Sequence, residues 1–274
     1  MKQKLKRTDF IEELMPPKTI ISIGHRNDGW ARKVQEWLNL HRFHTPLFNQ
    51  VVVIDDWYGN ATVEAVKEFQ LLKNIKVTGQ VCGITWLVLV NPMVVGFLPI
   101  TPLKGSTLQY MLVAYMNQLC EQHPTEVNKN EGPWVRSFMK GQDGHWAAWC
   151  NGVVSTALDH ACESLNIDMD SIIQWSWSCE RTKQFAIKQD NKSTYYTPEN
   201  VKNGEVIPEK GDLFLVVRKS NDKANHIGVI ENVKDGVMSC IEGNTNNEGS
   251  REGYELCKRK RNLSNGNYGI IKFN

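Results

Sequence analysis

Seven cysteines are present, an odd number, and no two are spaced as Cys-x-x-Cys. That spacing excludes a zinc ribbon and argues against a regular disulfide framework. Apolar runs of membrane-spanning length are also missing. The basic start Met1-Lys2-Gln3-Lys4-Leu5-Lys6-Arg7 is followed by Thr8-Asp9-Phe10-Ile11-Glu12-Glu13, which supplies no apolar core for a secretory leader. An excess of one charge is lacking too: the formal net charge of +2 argues against a dedicated nucleic-acid binder. The local cluster Lys258-Arg259-Lys260-Arg261 reads as a solvated turn between strands, with attraction to an anionic polymer as the lesser alternative. The histidines (His25, His41, His44, His123, His145, His160, His226) show no metal-ligand spacing. His41 and His44 could share a helix face, but no third ligand lies near them in sequence. Neither a metal nor a cofactor is expected.

A chain of 274 residues has room for two domains. A proline-punctuated stretch from Asn91-Pro92 to Pro99-Ile100-Thr101-Pro102-Leu103-Lys104-Gly105 divides it, placing a linker at 93–105. That linker is apolar (Met93, Val94, Val95, Phe97, Leu98) and is expected to pack on a domain instead of flexing freely. The segment before it is near the lower size at which a core supports a fold, whereas the segment after it can bury a sizeable one.

Trp149-Cys150-Asn151-Gly152 precedes an apolar stripe of Val153, Val154, Ala157, Leu158, Ala161, Cys162 and Leu165. The spacing predicts a helix with one face buried. Cys150 then sits at the helix start and off the stripe, exposed to unpaired backbone N–H groups and the positive end of the helix dipole, which favour thiolate. That is the position of a cysteine nucleophile. Taken alone, Cys150 fits equally well as a small apolar residue closing the top of a helix.

Further on, Asn225-His226-Ile227-Gly228-Val229-Ile230 reads as a buried strand, Lys234-Asp235-Gly236 as a turn, and Val237 to Asn244 as a second strand. Two such runs joined by Asp-Gly predict a hairpin. Alternation puts Glu242 and Asn244 on one face of the second strand, so either could hold the second nitrogen of the His226 imidazole. His145, close to Cys150 in sequence, is the competing base. The order Cys, His, then Glu or Asn is that of papain-like thiol hydrolases.

These segments resemble the CHAP-type cysteine amidase/peptidase domain, over residues ~106–274. Glu126 with Asn130-Glu131-Gly132-Pro133-Trp134-Val135 is similar to that family's entry segment. Trp149-Cys150 with Val154-Ser155 is similar to its nucleophile segment. Pro208-Glu209-Lys210-Gly211-Asp212-Leu213-Phe214, His226-Ile227-Gly228-Val229 and Glu242-Gly243-Asn244-Thr245 complete the pattern. The resemblance implies an α+β, papain-like domain with an N-terminal helix pair packed on an antiparallel sheet. It further implies Cys150 as nucleophile, His226 as base and Glu242 or Asn244 as orienter. Gln142 is a loosely matched oxyanion-hole donor. Trp175 to Glu205, which contains Asp190-Asn191-Lys192-Ser193-Thr194, departs from the pattern as a long polar link, and 246–253 as a long polar turn.

The N-terminal third carries its own pattern. Trp30, Val34, Trp37 and Leu38 recur at helical spacing. They are followed by Asp55-Asp56-Trp57-Tyr58-Gly59-Asn60-Ala61-Thr62, then Ala65, Val66, Phe69 and Gln70, then Gly79 and Thr85-Trp86. Over ~20–92 this resembles a small three-helix peptidoglycan-binding domain. Trp37, Phe69 and Trp86 read as core. Asp56, Trp57 and Tyr58, in the turn beside Gly59, are the candidate substrate-facing residues, because sugars stack on exposed aromatic faces.

Together the two resemblances imply a peptidoglycan hydrolase that cuts a wall amide or peptide bond, with peptidoglycan as its partner. The alternatives are a non-catalytic wall-binding protein on a decayed hydrolase scaffold and a thiol acyltransferase. Without a leader, such an enzyme is expected to be made in the cytoplasm and to reach the wall through a holin-type lysis pore or an injection system, the latter with an immunity protein.

Overall fold

A computed structural model describes residues 9–144, 146, 148–188, 192–245 and 253–274. In chain order its elements are α1 (Asp9–Leu14), α2 (Trp30–His41), α3 (Asn60–Leu72), α4 (Gly83–Leu89), α5 (Asn91–Gly96), α6 (Leu108–Cys120), α7 (Pro133–Phe138), α8 (Cys150–Ser164), α9 (Cys179–Ile187), β1 (Ser193–Tyr196), α10 (Pro198–Lys202), β2 (Leu213–Val217), β3 (Ala224–Lys234), β4 (Val237–Thr245), β5 (Glu255–Asn262) and β6 (Tyr268–Phe273). The chain divides into two compact units, one formed by residues 1–95 with 125–145, the other by 96–124 with 146–274.

In the first unit, α2, α3 and α4 bury Val34, Trp37, Leu38, Ala65, Val66, Phe69 and Trp86. Two buried glutamines fix the turns between these helices. Gln35 Nε2 donates to Asp55 Oδ1 (2.8 Å) and the Trp57 carbonyl (3.0 Å), while its Oε1 accepts from the N–H groups of Asp55 and Asp56. Gln70 does the same for a second turn. It donates to the Gln80 carbonyl and Thr85 Oγ1 and accepts from the N–H groups of Thr78 and Gly79. Each amide satisfies turn backbone that burial would otherwise leave unpaired.

By Cα proximity residues 125–144 group with this unit, whereas the sequence reading placed them in a domain spanning 106–274. Helix α7 sets Trp134 against Trp37 at 6.2 Å between ring centres. Arg136 lies among three acids: its Nε donates to Glu13 Oε1 (2.7 Å), Nη2 to Glu36 Oε2 (2.5 Å) and Nη1 to Asp143 Oδ2 (2.8 Å). The entry segment misled because its Gly-Pro helix start is a local signal, whereas its partners are distant in sequence.

The second unit contains an antiparallel six-stranded sheet in the order β1-β6-β2-β3-β4-β5. The expected hairpin is β3–β4, closed by Asp235 (φ 50°) and Gly236 (φ 73°) with Lys234 opposite Val237. Two successive positive φ angles are what a tight hairpin turn requires, and Asp-Gly supplies them. Helix α8 packs against β3 and β4. The approach is close because Gly243 has no side chain: a Cβ there would sit 2.5 Å from Val153 and 2.8 Å from Trp149.

Helix α8 is buried on more than its apolar stripe; Asn151, Ser155, Thr156 and His160 are buried too. The polar groups find partners, as burial demands. Asn151 Nδ2 donates to the Ser176 carbonyl and to Thr182 Oγ1, both at 2.8 Å, and Ser155 Oγ donates to the same carbonyl. The end of the expected linker is held as well: Phe97 stacks on His160, Gln118 bonds the Gly96 and Leu98 carbonyls, and the Ile100 N–H donates to Tyr115 Oη. The stretch read as a polar link from Trp175 to Glu205 holds α9, β1 and α10. Asp190 and Asn191 lie outside the described residues.

Candidate active site

Cys150 is the first residue of α8. Its thiol is 5% exposed, so it is more enclosed than its helix-start position suggested. Its pKa lies well below the ordinary thiol value. The contact with the Cys179 thiol lowers it most, the nearby His226 attracts the thiolate, and the Asn151 N–H adds to these; together they outweigh burial. Cys179 moves the opposite way, held up by that same bond to Cys150 and by burial. The two thiols are pushed apart, Cys150 toward the thiolate and Cys179 toward the protonated form.

His226 sits on β3 opposite Val216 of β2. Its Nε2 donates to Glu242 Oε2 at 2.8 Å, and its Nδ1 has no hydrogen-bond partner among the described residues. Burial disfavours the imidazolium, yet the nearby Cys150 sulfur and the bond to Glu242 overcome it and push the pKa up to about 9. With Nε2 committed to Glu242, Nδ1 is the nitrogen left to serve the sulfur. Burial likewise disfavours the charge on Glu242, but bonds from Arg261 and His226 keep its pKa low. Arg261 Nε donates to Glu242 Oε1 at 2.6 Å and its Nη2 to Oε2 at 2.5 Å, a two-pronged grip. The result is a connected series of imidazole, carboxylate and guanidinium, with the Cys150 thiol close enough to the imidazole for each to shift the other's pKa.

Gly228 makes room for the carboxylate. A Cβ at that position would stand 2.6 Å from Phe214 Cε1 and 2.7 Å from Glu242 Cγ.

Asn244 is not brought to the imidazole. The register of β4 against β5 shifts between Glu242 and Thr245, and Asn244 takes a positive φ of 54°. The bulge breaks the alternation that would have put both side chains on one face. Asn244 Nδ2 instead donates to the Gly253 carbonyl at 2.9 Å. The orienting contact is therefore made by Glu242. Residues 246–252 of the long turn lie outside the described residues, as does His145. Gln142 falls in the first unit and is exposed.

Two participants were not legible in the sequence. Arg261 was read into a solvated basic turn, but β5 is a strand and its alternate residues turn inward. Cys179 lay in what read as a polar link; Ser178, whose side chain caps α9 through the Arg181 N–H, was the available signal.

In the first unit the turn Asp56-Trp57-Tyr58 separates into three roles. Asp56 accepts from the N–H groups of Gly29 (3.1 Å) and Arg32 (3.0 Å) and so caps α2 from a distant turn. Tyr58 is fully buried and its hydroxyl donates to the Gly79 carbonyl at 2.9 Å. Both side chains, read from sequence as substrate-facing, have hydrogen-bond partners within this unit. Trp57 is 57% exposed and presents its ring to solvent. His41 likewise has its partner within this unit. Its Nε2 bonds the Leu89 carbonyl at 2.7 Å, and burial pushes its pKa down to about 3.

Comparison with known families matches residues 31–89 to the "Putative peptidoglycan binding domain" model. The chain thus carries an N-terminal peptidoglycan-binding domain, which points to association with the cell wall. Searches of curated proteins and of solved structures returned no match. Among the described residues, no helix is long and apolar enough to cross a membrane.

Proposed function

We propose that the protein is a cysteine-dependent peptidoglycan hydrolase, an amidase or endopeptidase, whose N-terminal domain holds the wall while Cys150 cuts it. The observation that carries this reading is the electrostatic pairing of Cys150 with His226, whose imidazole is held by Glu242 and Arg261, on the same chain as a wall-binding domain. The resemblance of the Trp149-Cys150, Gly211-Asp212, His226-Ile227-Gly228 and Glu242-Gly243-Asn244 segments to CHAP-type enzymes supports it further.

The chemistry is acyl transfer. The Cys150 thiolate attacks the amide carbonyl, forming a C–S bond, and the carbonyl π electrons move to oxygen. His226, protonated at Nδ1, gives that proton to the leaving nitrogen as the C–N bond breaks. A water then loses a proton to Nδ1 and attacks the thioester, and the carboxylate product leaves as the thiol is regenerated. Glu242 holds the imidazole in place and stabilises its charged form without carrying the proton.

Clearing of a purified wall suspension tests the proposal. The wild type should clear it, and Cys150→Ala should bind wall without clearing it. Clearing by the alanine variant at wild-type rate would refute the assignment, as would loss of wild-type activity to a chelator with recovery on adding zinc.

A further inference from the structure

The Sγ atoms of Cys150 and Cys179 lie 3.6 Å apart. Each cysteine is the first residue of its helix, α8 and α9, and both are buried and unpaired. The backbone between them is tied down: Asn151 reaches the Ser176 carbonyl and Thr182 Oγ1, and Ser155 reaches the same carbonyl. The two sulfurs are therefore neighbours by construction of the fold. Hydrolysis requires one thiol here, and nothing in that chemistry uses a second sulfur as a reactant.

We propose that Cys150 and Cys179 are an oxidation site for hydroperoxides, at which the nucleophile is converted reversibly into an intramolecular disulfide. In the first step the Cys150 thiolate attacks an oxygen of the hydroperoxide. An S–O bond forms and the O–O bond breaks. The departing oxygen leaves as hydroxide or alkoxide and takes a proton from water. Sulfur loses two electrons, peroxide gains them, and Cys150 becomes a sulfenic acid. In the second step the Cys179 sulfur attacks the Cys150 sulfur. The S–S bond forms, the S–O bond breaks, and the hydroxyl leaves as water with the Cys179 proton. Overall, two thiols and one hydroperoxide give a disulfide, water and a second water or an alcohol. A dithiol reductant reverses the change by exchange.

The geometry suits the second step. A disulfide needs sulfurs about 2.05 Å apart, so the pair must close by ~1.5 Å, a distance within the reach of side-chain rotation. The electrostatics suit the roles as well. Cys150 is poised as the attacking thiolate, and Cys179 retains the proton needed to release water. The idea rests on Cys150 being the reactive thiol of the proposed hydrolase, but its test does not require hydrolysis.

The test treats the full-length protein with a small excess of hydrogen peroxide and maps it by mass spectrometry under non-reducing conditions. The wild type should lose about 2 Da, yield a cross-linked peptide joining Cys150 to Cys179, and recover both mass and thiol reactivity in dithiothreitol. Cys179→Ser should form no such link, and its Cys150 should advance to sulfinic acid that dithiothreitol does not reverse. Sulfinic acid at Cys150 of the wild type without a cross-link would overturn the proposal, as would a link joining a different pair. If Cys179→Ser fails to fold, the wild-type peptide map decides alone. If the wild type cross-links but clears no wall, the oxidation site stands and the hydrolase reading falls.

Discussion

His226 Nε2 and Glu242 Oε2 are 2.8 Å apart on neighbouring strands, both side chains are buried, and Arg261 grips the carboxylate from its other side. This contact fixes the imidazole's orientation and, with Cys150, favours its charged form. With the His226 pKa pushed up to about 9 and that of Cys150 lowered well below an ordinary thiol, the thiolate–imidazolium pair is favoured below about 9 and lost at acid pH. Wall hydrolysis should therefore fall as pH rises through about 9, where His226 loses its proton, and fall again at acid pH, where the thiolate is protonated. Glu242→Gln keeps an acceptor and removes the charge. Its alkaline limb should move to lower pH, and its rate should drop roughly ten- to hundredfold, less than the loss of the base itself. A pH–rate profile of the two proteins checks this, and an unmoved alkaline limb would separate Glu242 from the titration.

Arg261→Met takes from the buried Glu242 carboxylate its two-pronged partner and leaves it the His226 contact. Removing one partner of a buried ion pair typically costs about 3–5 kcal/mol. Arg261→Lys should recover part of this, since an ammonium restores charge but not the two-pronged geometry. Urea denaturation of the three proteins gives the order wild type, lysine, methionine; equal midpoints would show that the guanidinium is dispensable.

Trp57 and Tyr58 are adjacent and should behave oppositely. Trp57→Ala should leave the melting temperature nearly unchanged and weaken retention on insoluble wall several-fold, as expected for an exposed ring that stacks on sugar. Tyr58→Phe should destabilise by about 1 kcal/mol through the lost bond to the Gly79 carbonyl, leaving retention unaltered under conditions where the protein is folded. Sedimentation with purified wall, beside a thermal melt, reads both. Full retention by Trp57→Ala would remove the ring from binding.

Much of this was legible in the sequence because it is local. The helix beginning at Cys150 and the Asp-Gly hairpin are each specified by a few contiguous residues. What was not legible depends on distant pairing. Asn244 looked equivalent to Glu242 until a register shift against β5 turned it away. Arg261 looked solvated because a run of four basic residues hides the alternation of a strand. Residues 125–145 looked like the start of the second domain, since nothing near them announces Glu13, Glu36 or Trp37 as partners.

That last point carries a prediction about truncation. Cutting the chain near residue 105 removes Glu13, Glu36 and Trp37 while retaining Arg136, Trp134 and Phe138, which are largely buried in the intact first unit. The truncated chain should aggregate, because it exposes a large apolar patch. Arg136→Ala in the full chain should destabilise by about 3–5 kcal/mol, since it strands buried carboxylates. Size-exclusion chromatography and a thermal melt check these two outcomes, and a monomeric truncated chain would contradict the assignment of 125–145 to the first unit.

The most direct test of the central claim is mass spectrometry of the soluble fragments released from purified peptidoglycan by the wild type, Cys150→Ala and His226→Ala. The account predicts fragments with one newly freed amine and one newly freed carboxyl from the wild type, none from Cys150→Ala, and release reduced by several orders of magnitude from His226→Ala. The position of that new amine also tells which bond is cut, at the sugar–peptide junction or within the peptides. Identical fragments at equal rates from all three proteins, or no fragments from a folded, wall-bound wild type, would contradict it.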